Sequence, residues 1–483
     1  MLDHDTCYRA LRTRDQRFDG KFFTGVTTTG VYCRPVCPAV LPRAKNCTFF
    51  ACAAAAEDAG FRPCLRCRPE TAPGTPAWRG TSATVSRGMQ LIEEGALDRG
   101  TVEELAARLG VGDRHLRRLF VEHLGVPPLA IAQTKRVHFA KRLIADTRLP
   151  MTQIALAAGY RNVRRFNAEV RRIFRQSPRD MRAGQRHDDA KNGPAITLRL
   201  SVRAPFDWDA VLAFLAPRAI PGVERVSDGV YRRTVDEGEF TGVIDVSRLV
   251  TRSGDLVLVS VPVAGTPHLG RMAARVRALF DLGADPAAIA DQLVTDARLR
   301  RLIRRCPGLR VPGAWSRFET AVRAIIGQQV SVAAATRLAG KLVRAFGHPM
   351  VDGSPPLTHV FPRPEDLADA DIAAVGMPKA RAETIRALAR AVCDGSPVLE
   401  TAPSLDAALE RLTALPGCSD WTAQYIAMRA LREPDAFPAG DLGLRKSLAH
   451  GKTTPSAAAV RRGAESWRPW RAYAAMWLWT SPG

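Results

Sequence analysis

No stretch of this 483-residue sequence is long and apolar enough to cross a membrane. Its longest aromatic-apolar run, Tyr473 to Trp479, falls far short of the about 20 residues a spanning helix needs. Met1 to Arg9 holds no apolar run before charged residues recur, so no secretory leader is expected, and the expected compartment is the cytoplasm. Cysteine is scarce at ten residues, and those outside one cluster of four are scattered, which excludes a disulfide framework and fits a reducing compartment. Acidic side chains are also few: 48 Asp and Glu face 70 Lys and Arg, for a formal charge of +22. The excess is arginine spread along the chain, which suits phosphate contact over several folded surfaces and makes nucleic acid the first partner to consider. At roughly one domain per 150 residues, the length implies three or four domains.

What the sequence does contain begins with Cys33-x-x-x-Cys37 and Cys64-x-x-Cys67. Two close pairs of thiolates offer the tetrahedral set that one Zn²⁺ accepts. The spacing leaves open whether the metal only staples a small domain or whether one thiolate reacts, since zinc-bound sulfur stays nucleophilic at neutral pH. Between the pairs, Thr48–Phe50 reads as a strand and Ala51–Ala59 as a helix stopped by Gly60, which makes a small α+β module over residues 1–74. The segments Thr29-Gly30-Val31-Tyr32-Cys33-Arg34-Pro35-Val36-Cys37 and Gly60-Phe61-Arg62-Pro63-Cys64-Leu65-Arg66-Cys67 resemble the N-terminal domain of the Ada family of methylphosphotriester repair proteins. That resemblance implies that Cys33 accepts a methyl group from DNA, that Cys37, Cys64 and Cys67 hold the metal with it, and that Arg34 lies at the DNA.

Thr71–Pro76 is a Pro/Gly/Thr-rich joint. Beyond it, Thr101-x-x-Glu104 is a capping box ahead of Val102, Leu105, Ala106 and Leu109 on one helical face, and Gly110–Gly112 makes the turn. The next helix points Leu116, Leu119 and Phe120 inward and its arginines outward, as a recognition helix does. The pattern recurs at Met151–Ala158 and Arg161–Phe174, with a long helix Pro128–Asp146 between the two units. Residues 75–185 resemble the AraC/XylS DNA-binding domain, with Arg165-Phe166-Asn167 and Gln176-Ser177-Pro178-Arg179-Asp180 close to its C-terminal signature. Arg114, Arg117, Arg161 and Arg164 are the candidates for base or phosphate contact. Gln185–Gly193 reads as a linker.

Strands at Ile196–Val202, Thr241–Val246 and Leu256–Val261, with helices at Trp208–Leu215 and Arg271–Leu282, make residues 194–305 an α+β layer without a catalytic cluster. Their order resembles the N-terminal sheet domain of 3-methyladenine DNA glycosylase II, the AlkA family. From Ala321 the chain is helical. Leu415-Pro416-Gly417-Cys418-Ser419-Asp420-Trp421-Thr422-Ala423 forms a tight turn between helices, where backbone N–H groups of Gly417, Ser419 and Thr422 are expected to hold a phosphate. Pro438-Ala439-Gly440-Asp441-Leu442-Gly443-Leu444 places a lone carboxylate before another helix. Residues 306–483 thus look like the helix-hairpin-helix glycosylase superfamily, and Ile326–Ser331 with Pro469–Tyr473 point to AlkA within it. The resemblance implies that Asp441 is catalytic, that Trp421, Tyr425 and Trp479 stack on an extruded base, and that Gln329 is the wedge filling its gap in the duplex.

Three absences refine the expected chemistry. Strand-cutting relatives use a lysine where this chain has Trp421, so monofunctional base removal is expected. No cysteine follows Cys418, so an iron-sulfur cluster is not expected. The Pro-Cys-His-Arg context of a methylguanine transferase is missing around Cys306, Cys393 and Cys418. Ser419 stands where the hairpin usually has a glycine and would be strained if the position needs φ above zero.

The expected fold is therefore multidomain and mainly α with α+β parts: a small zinc α+β domain, an all-α double helix-turn-helix, an α+β sheet domain and an all-α helix-hairpin-helix glycosylase domain. The expected function is an alkylation response joining a methyl-switched transcription activator to a glycosylase for bases such as 3-methyladenine. A monomer is expected, with double-stranded DNA, both damaged and promoter sites, and RNA polymerase as partners. The other reading is a regulator whose glycosylase domain binds DNA but is inactive through Ser419.

Overall fold

Two cysteine pairs separated by a helix meet because of one strand pairing. In the N-terminal module, β1 (Phe23–Val26) runs antiparallel to β2 (Val31–Cys33) and to β3 (Cys47–Phe50), while β2 pairs in parallel with β4 (Arg62–Pro63), giving the order β3-β1-β2-β4. The β2–β4 register sets Tyr32 opposite Pro63, and the Cys64 N–H donates to the Tyr32 carbonyl at 3.0 Å, so Cys33 and Cys64 are the next residues along adjacent strands. Gly25 keeps this sheet closed: a Cβ there would lie 2.8 Å from Phe50 and 2.9 Å from Phe61. Helices α1 (His4–Thr13) and α2 (Ala53–Asp58) complete the module, α2 being shorter at both ends than the sequence expectation.

The computed structural model describes residues 3–73, 83–183, 195–251, 254–449 and 453–480. The expected linker Gln185–Gly193 and most of the joint after Thr71 lie outside the described residues. Contact density divides the chain into a first unit, residues 1–204, 249–274 and 282–284, and a second, residues 205–248, 275–281 and 285–483.

Within the first unit, α3 (Ala83–Glu93), α4 (Val102–Arg108) and α5 (Asp113–Leu124) enclose a core around Leu105, Leu116 and Phe120, and the Thr101/Glu104 capping box forms at the start of α4. The long helix α6 spans Pro128–Asp146 as its pattern predicts, and α7 (Met151–Ala157) and α8 (Val163–Phe174) repeat the motif. Helix α8 begins two residues later than expected because Asn162 caps it, accepting from the Arg164 and Arg165 N–H groups, which leaves Arg161 in the turn. The expected strands at 196–202 and 256–261 are β5 (Ala195–Ser201) and β9 (Gly254–Pro262), paired antiparallel.

Helix α6 is tied to the zinc module through buried charge. Glu57 of α2 accepts from Tyr32 Oη at 2.8 Å and Thr134 Oγ1 at 2.8 Å, and lies 2.7 Å from His138 Nε2. Lys141 Nζ is 2.9 Å from Glu70 in an ion pair without hydrogen-bond geometry, and sits 4.7 Å from the centre of the Phe174 ring. Burial pushes both carboxyl groups up, but His138 for Glu57 and Lys141 with Arg68 for Glu70 outweigh it and hold them below the ordinary value of 4.5. A folded pKa below the unfolded one gives stability that is full above about pH 4.5 and drains as pH falls through the folded values. Glu57→Ala strands three buried partners and is expected to cost about 3 kcal/mol, read as a lower urea midpoint of the first unit at pH 7 that converges on wild type in acid.

In the second unit, β6 (Glu224–Ser227), β7 (Val230–Asp236) and β8 (Thr241–Thr251) form an antiparallel meander, with Tyr231 opposite Val246, and β8 continues across residue 248 into the first unit. Strands β6 and β7 escape a sequence reading because Arg232 and Arg233 break the apolar alternation. Arg233 is nonetheless buried, 2.8 Å from Glu319 and 3.6 Å from Glu224. The helices that position the site are α9 (Trp208–Leu215), α10 (Arg317–Ile326), α11 (Lys379–Cys393), α12 (Leu405–Thr413), α13 (Asp420–Arg429), α14 (Leu442–Ser447) and α15 (Arg471–Trp479).

Candidate functional site

The hairpin between α12 and α13 needs glycine at one position only. Gly417 has φ +78°, and a Cβ there would fall 2.0 Å from Thr384 Oγ1 on α11. Ser419 has φ −72°, so the strain expected of a serine at this position is absent. Its hydroxyl caps α13 by accepting from the Thr422 N–H at 3.3 Å. Thr422 itself is fully buried, and its Oγ1 accepts from Gln328 Nε2 at 2.9 Å; with its N–H taken by Ser419, it supports the turn and has no donor to offer a phosphate. Gln328 also donates to the Gly417 carbonyl at 3.0 Å, which fastens the hairpin to the loop after α10. Gly417→Ala is expected to lower the midpoint of denaturation and weaken affinity for undamaged duplex together, the φ above zero alone costing about 1 kcal/mol or more.

Asp441 is the N-cap of α14, and its carboxylate is held by three donors. Oδ1 accepts from the Leu444 N–H at 3.0 Å and Trp479 Nε1 at 3.0 Å, and Oδ2 from Trp421 Nε1 at 3.1 Å. Trp421 stacks on Tyr425 with ring centres 5.4 Å apart, and Trp479 follows at 6.3 Å from Tyr425. These four side chains, from α13, α14 and α15, line a cavity of about 300 Å³, large enough for a flipped base. Gln329 is exposed at φ +55°, between Gly327 and Val330, which line the same cavity.

At the other site, the four thiol sulfurs of Cys33, Cys37, Cys64 and Cys67 lie within 4.8 Å of one another. A tetrahedral zinc with four sulfur ligands has sulfurs about 3.8 Å apart, so the donor set fits that ion with small adjustment. Cys33 is half-buried and the other three are buried, so the expected acceptor is the most accessible of the quartet. The Arg34 N–H donates to Cys67 Sγ at 3.4 Å. The Arg34 guanidinium is buried against Asp19, the Cys67 carbonyl and Thr71 Oγ1. Arg34 is thus a brace behind the quartet rather than a free DNA contact, a correction to the sequence expectation.

The sequence of the whole chain decides how these parts are related. Residues 6–70 match the metal binding domain of Ada, 105–184 a helix-turn-helix domain, 197–316 the AlkA N-terminal domain and 322–471 the HhH-GPD superfamily of base excision DNA repair proteins. The probable bifunctional transcriptional activator/DNA repair enzyme AlkA of Mycobacterium tuberculosis is 43% identical over 99% of this chain and 96% of its own. This chain belongs to that family. DNA-3-methyladenine glycosylase 2 of Escherichia coli is 37% identical over 59% of this chain and 97% of its own length. The 3-methyladenine DNA glycosylase of Archaeoglobus fulgidus shares the fold over 58% of this chain, with a TM-score of 0.51 and 24% identity.

As an AlkA-type activator and repair enzyme, the chain carries one four-cysteine Zn²⁺ site, binds DNA through helix-turn-helix and glycosylase domains, and has no helix among the described residues long and apolar enough to cross a membrane. Of the expected DNA contacts in this activator, Arg114, Arg161 and Arg164 are exposed, and Arg117 is paired with Glu103 at 3.0 Å and with Asp113 at 3.6 Å. Sequence reasoning missed four cavity-lining arginines, Arg218, Arg233, Arg323 and Arg429. Only Arg429 had a legible signal, four residues after Tyr425 on one helical face, and its Nη1 donates to Tyr425 Oη at 2.8 Å.

Proposed function

We propose that this protein repairs alkylated DNA by two reactions and uses the first to switch transcription. In the first, Cys33 Sγ attacks the methyl carbon of a methylphosphotriester; the carbon–oxygen bond breaks and its electron pair leaves with the phosphodiester. Zinc, when bound, keeps the sulfur a thiolate at neutral pH. Four thiolates around a divalent ion carry a formal charge of about −2, which repels phosphates, and methylation of one halves it. Each protein is spent once, and the module then holds DNA more tightly, which the paired helix-turn-helix units convert into promoter binding. RNA polymerase is the partner such an activator needs, and the proposed state is a monomer in the cytoplasm. The proposed domains are residues 1–74, 75–185, 194–305 and 306–483.

In the second reaction, the extruded alkylbase leaves from C1′ while Asp441 faces the oxocarbenium-like sugar and orients water. Trp421, Tyr425 and Trp479 supply the aromatic wall, Gln329 fills the gap in the duplex, and Gly417 and Ser419 lie at the backbone phosphates. The observation that carries the reading is the Asp441 carboxylate fixed by two indole N–H groups at the edge of a base-sized cavity. With tryptophan at position 421 no imine forms, so the strand stays intact. Wild-type protein on dimethyl-sulfate-treated duplex is expected to release free 3-methyladenine and leave abasic strands that break only on alkaline heating. Strand breaks before that heating contradict the monofunctional assignment.

A further inference from the structure

The excision cavity has a wall that removal of a methylated base by Asp441 and the aromatic rings does not use. Arg218, Arg323 and Arg429 all line it around Tyr425, and none has a carboxylate within ion-pair distance among the described residues. The carboxylates on the same cavity are committed elsewhere, Glu224 and Glu319 to Arg233 and Asp441 to the two indoles. Burial pushes the Tyr425 phenol up, yet the charges of Arg429, Arg218 and Arg323 outweigh it and hold its pKa below the usual value, an independent sign of a positive field at this wall.

The aromatic faces that would receive a cationic base are partly occupied by these same groups. The Arg218 and Arg429 guanidinium carbons lie 3.8 and 4.9 Å from the Phe214 ring centre, and Arg429 is 5.7 Å from that of Tyr425. Arg429 is also tied down by hydrogen bonds to Tyr425 and to the carbonyls of Pro312 and Gly313, and Arg218 Nη1 donates to the Phe214 carbonyl at 2.9 Å. Arg323 differs. Its Nη2 makes one long bond to Thr336 Oγ1 at 3.4 Å, and its buried Nη1 has no hydrogen-bond partner among the described residues. A buried guanidinium donor without an acceptor is satisfied by a carbonyl oxygen and opposed by an amino group.

We propose that Arg323, with Arg218 beside it, is a specificity-determining residue that reads position 6 of the extruded purine. It favours guanine-type lesions, which carry a carbonyl there, over adenine-type lesions with the same methyl group, whose 6-amino group meets it donor to donor. As the C1′–N bond breaks, its electron pair flows into the cationic ring and leaves the base neutral, and density gained at the 6-oxygen is held by the guanidinium. Water gives its oxygen to C1′ and its proton to solvent by way of Asp441. The inference rests on the glycosylase reading above and deepens it.

The test is release of 3-methylguanine and 3-methyladenine from one sample of dimethyl-sulfate-treated duplex by the full chain, each quantified as free base against its abundance in the DNA. Wild type is expected to release 3-methylguanine with a rate constant about tenfold above that of 3-methyladenine. Arg323→Met is expected to lower that ratio about tenfold and Arg323→Lys to lower it less, a change that a general loss of folding or of DNA binding would not produce. Faster release of 3-methyladenine by wild type overturns the proposal, as does an Arg323→Met variant that retains the wild-type ratio. If the variants do not fold, inhibition of wild type by free guanine more than by free adenine supports it, and the reverse order overturns it. Release of neither base by wild type brings down the glycosylase reading itself, a distinct result.

Discussion

Asp441→Asn is expected to reduce release of 3-methyladenine from methylated duplex by at least about 10³-fold while leaving the fold and promoter binding in place. The amide is isosteric, and its oxygen still accepts from an indole and from the Leu444 N–H that caps α14, so the cavity keeps its shape. What disappears is the full negative charge facing the sugar, the one group that stabilises developing positive charge at C1′. The amide NH₂ also faces an indole donor, because both carboxylate oxygens now accept from a Trp Nε1. Release rates with excess enzyme, together with gel-shift titration of a promoter fragment, separate the two properties. Retained release in Asp441→Asn points the chemistry elsewhere, and joint loss of release and promoter binding shows a fold defect. The regulator-only reading rested on a strained Ser419, and the serine instead has φ −72° and caps a helix.

Cys33→Ser has the second large effect: complete loss of methyl acceptance with normal glycosylase turnover. Cys33 is the half-buried member of the quartet, whereas Cys37, Cys64 and Cys67 are buried ligands. Their replacement is expected to unfold the module as well, since a domain of this size draws much of its stability from the metal. The Asp441 cavity is built from residues of the second unit alone, so base release should proceed at the wild-type rate in Cys33→Ser. Mass analysis of the protein after exposure to methylated DNA reads the first property and base release the second.

Much of this molecule was legible because its signals are local. The quartet spacing, the Thr101/Glu104 capping box, the 19-residue helix Pro128–Asp146 and the Asp441 turn each lie within a short window, where residue type and periodicity suffice. The rest depends on partners far along the chain. Arg233 reads as a solvent-facing residue until Glu319 is placed 2.8 Å away, and strand β7 was missed for that reason. Arg34 looks like a phosphate contact beside Cys33, yet Asp19 and Thr71 bury it. Thr422 lies in the turn that suggests phosphate binding, but Ser419 and Gln328 use up its polar atoms. The indole clamp on Asp441 joins residues 20 and 38 positions away on either side of it, and the arginine wall gathers α9, α10 and α13.

The central claim is that one chain couples a single-use methyl sensor to base excision. It is tested most directly by incubating the wild-type protein with DNA bearing methylphosphotriesters, then measuring its intact mass and mapping any adduct by peptide. The predicted result is one added methyl group per molecule, located on Cys33, with stronger promoter binding by the methylated form. A protein that releases alkylated bases but gains no methyl on any cysteine would contradict it and leave the zinc as a structural staple.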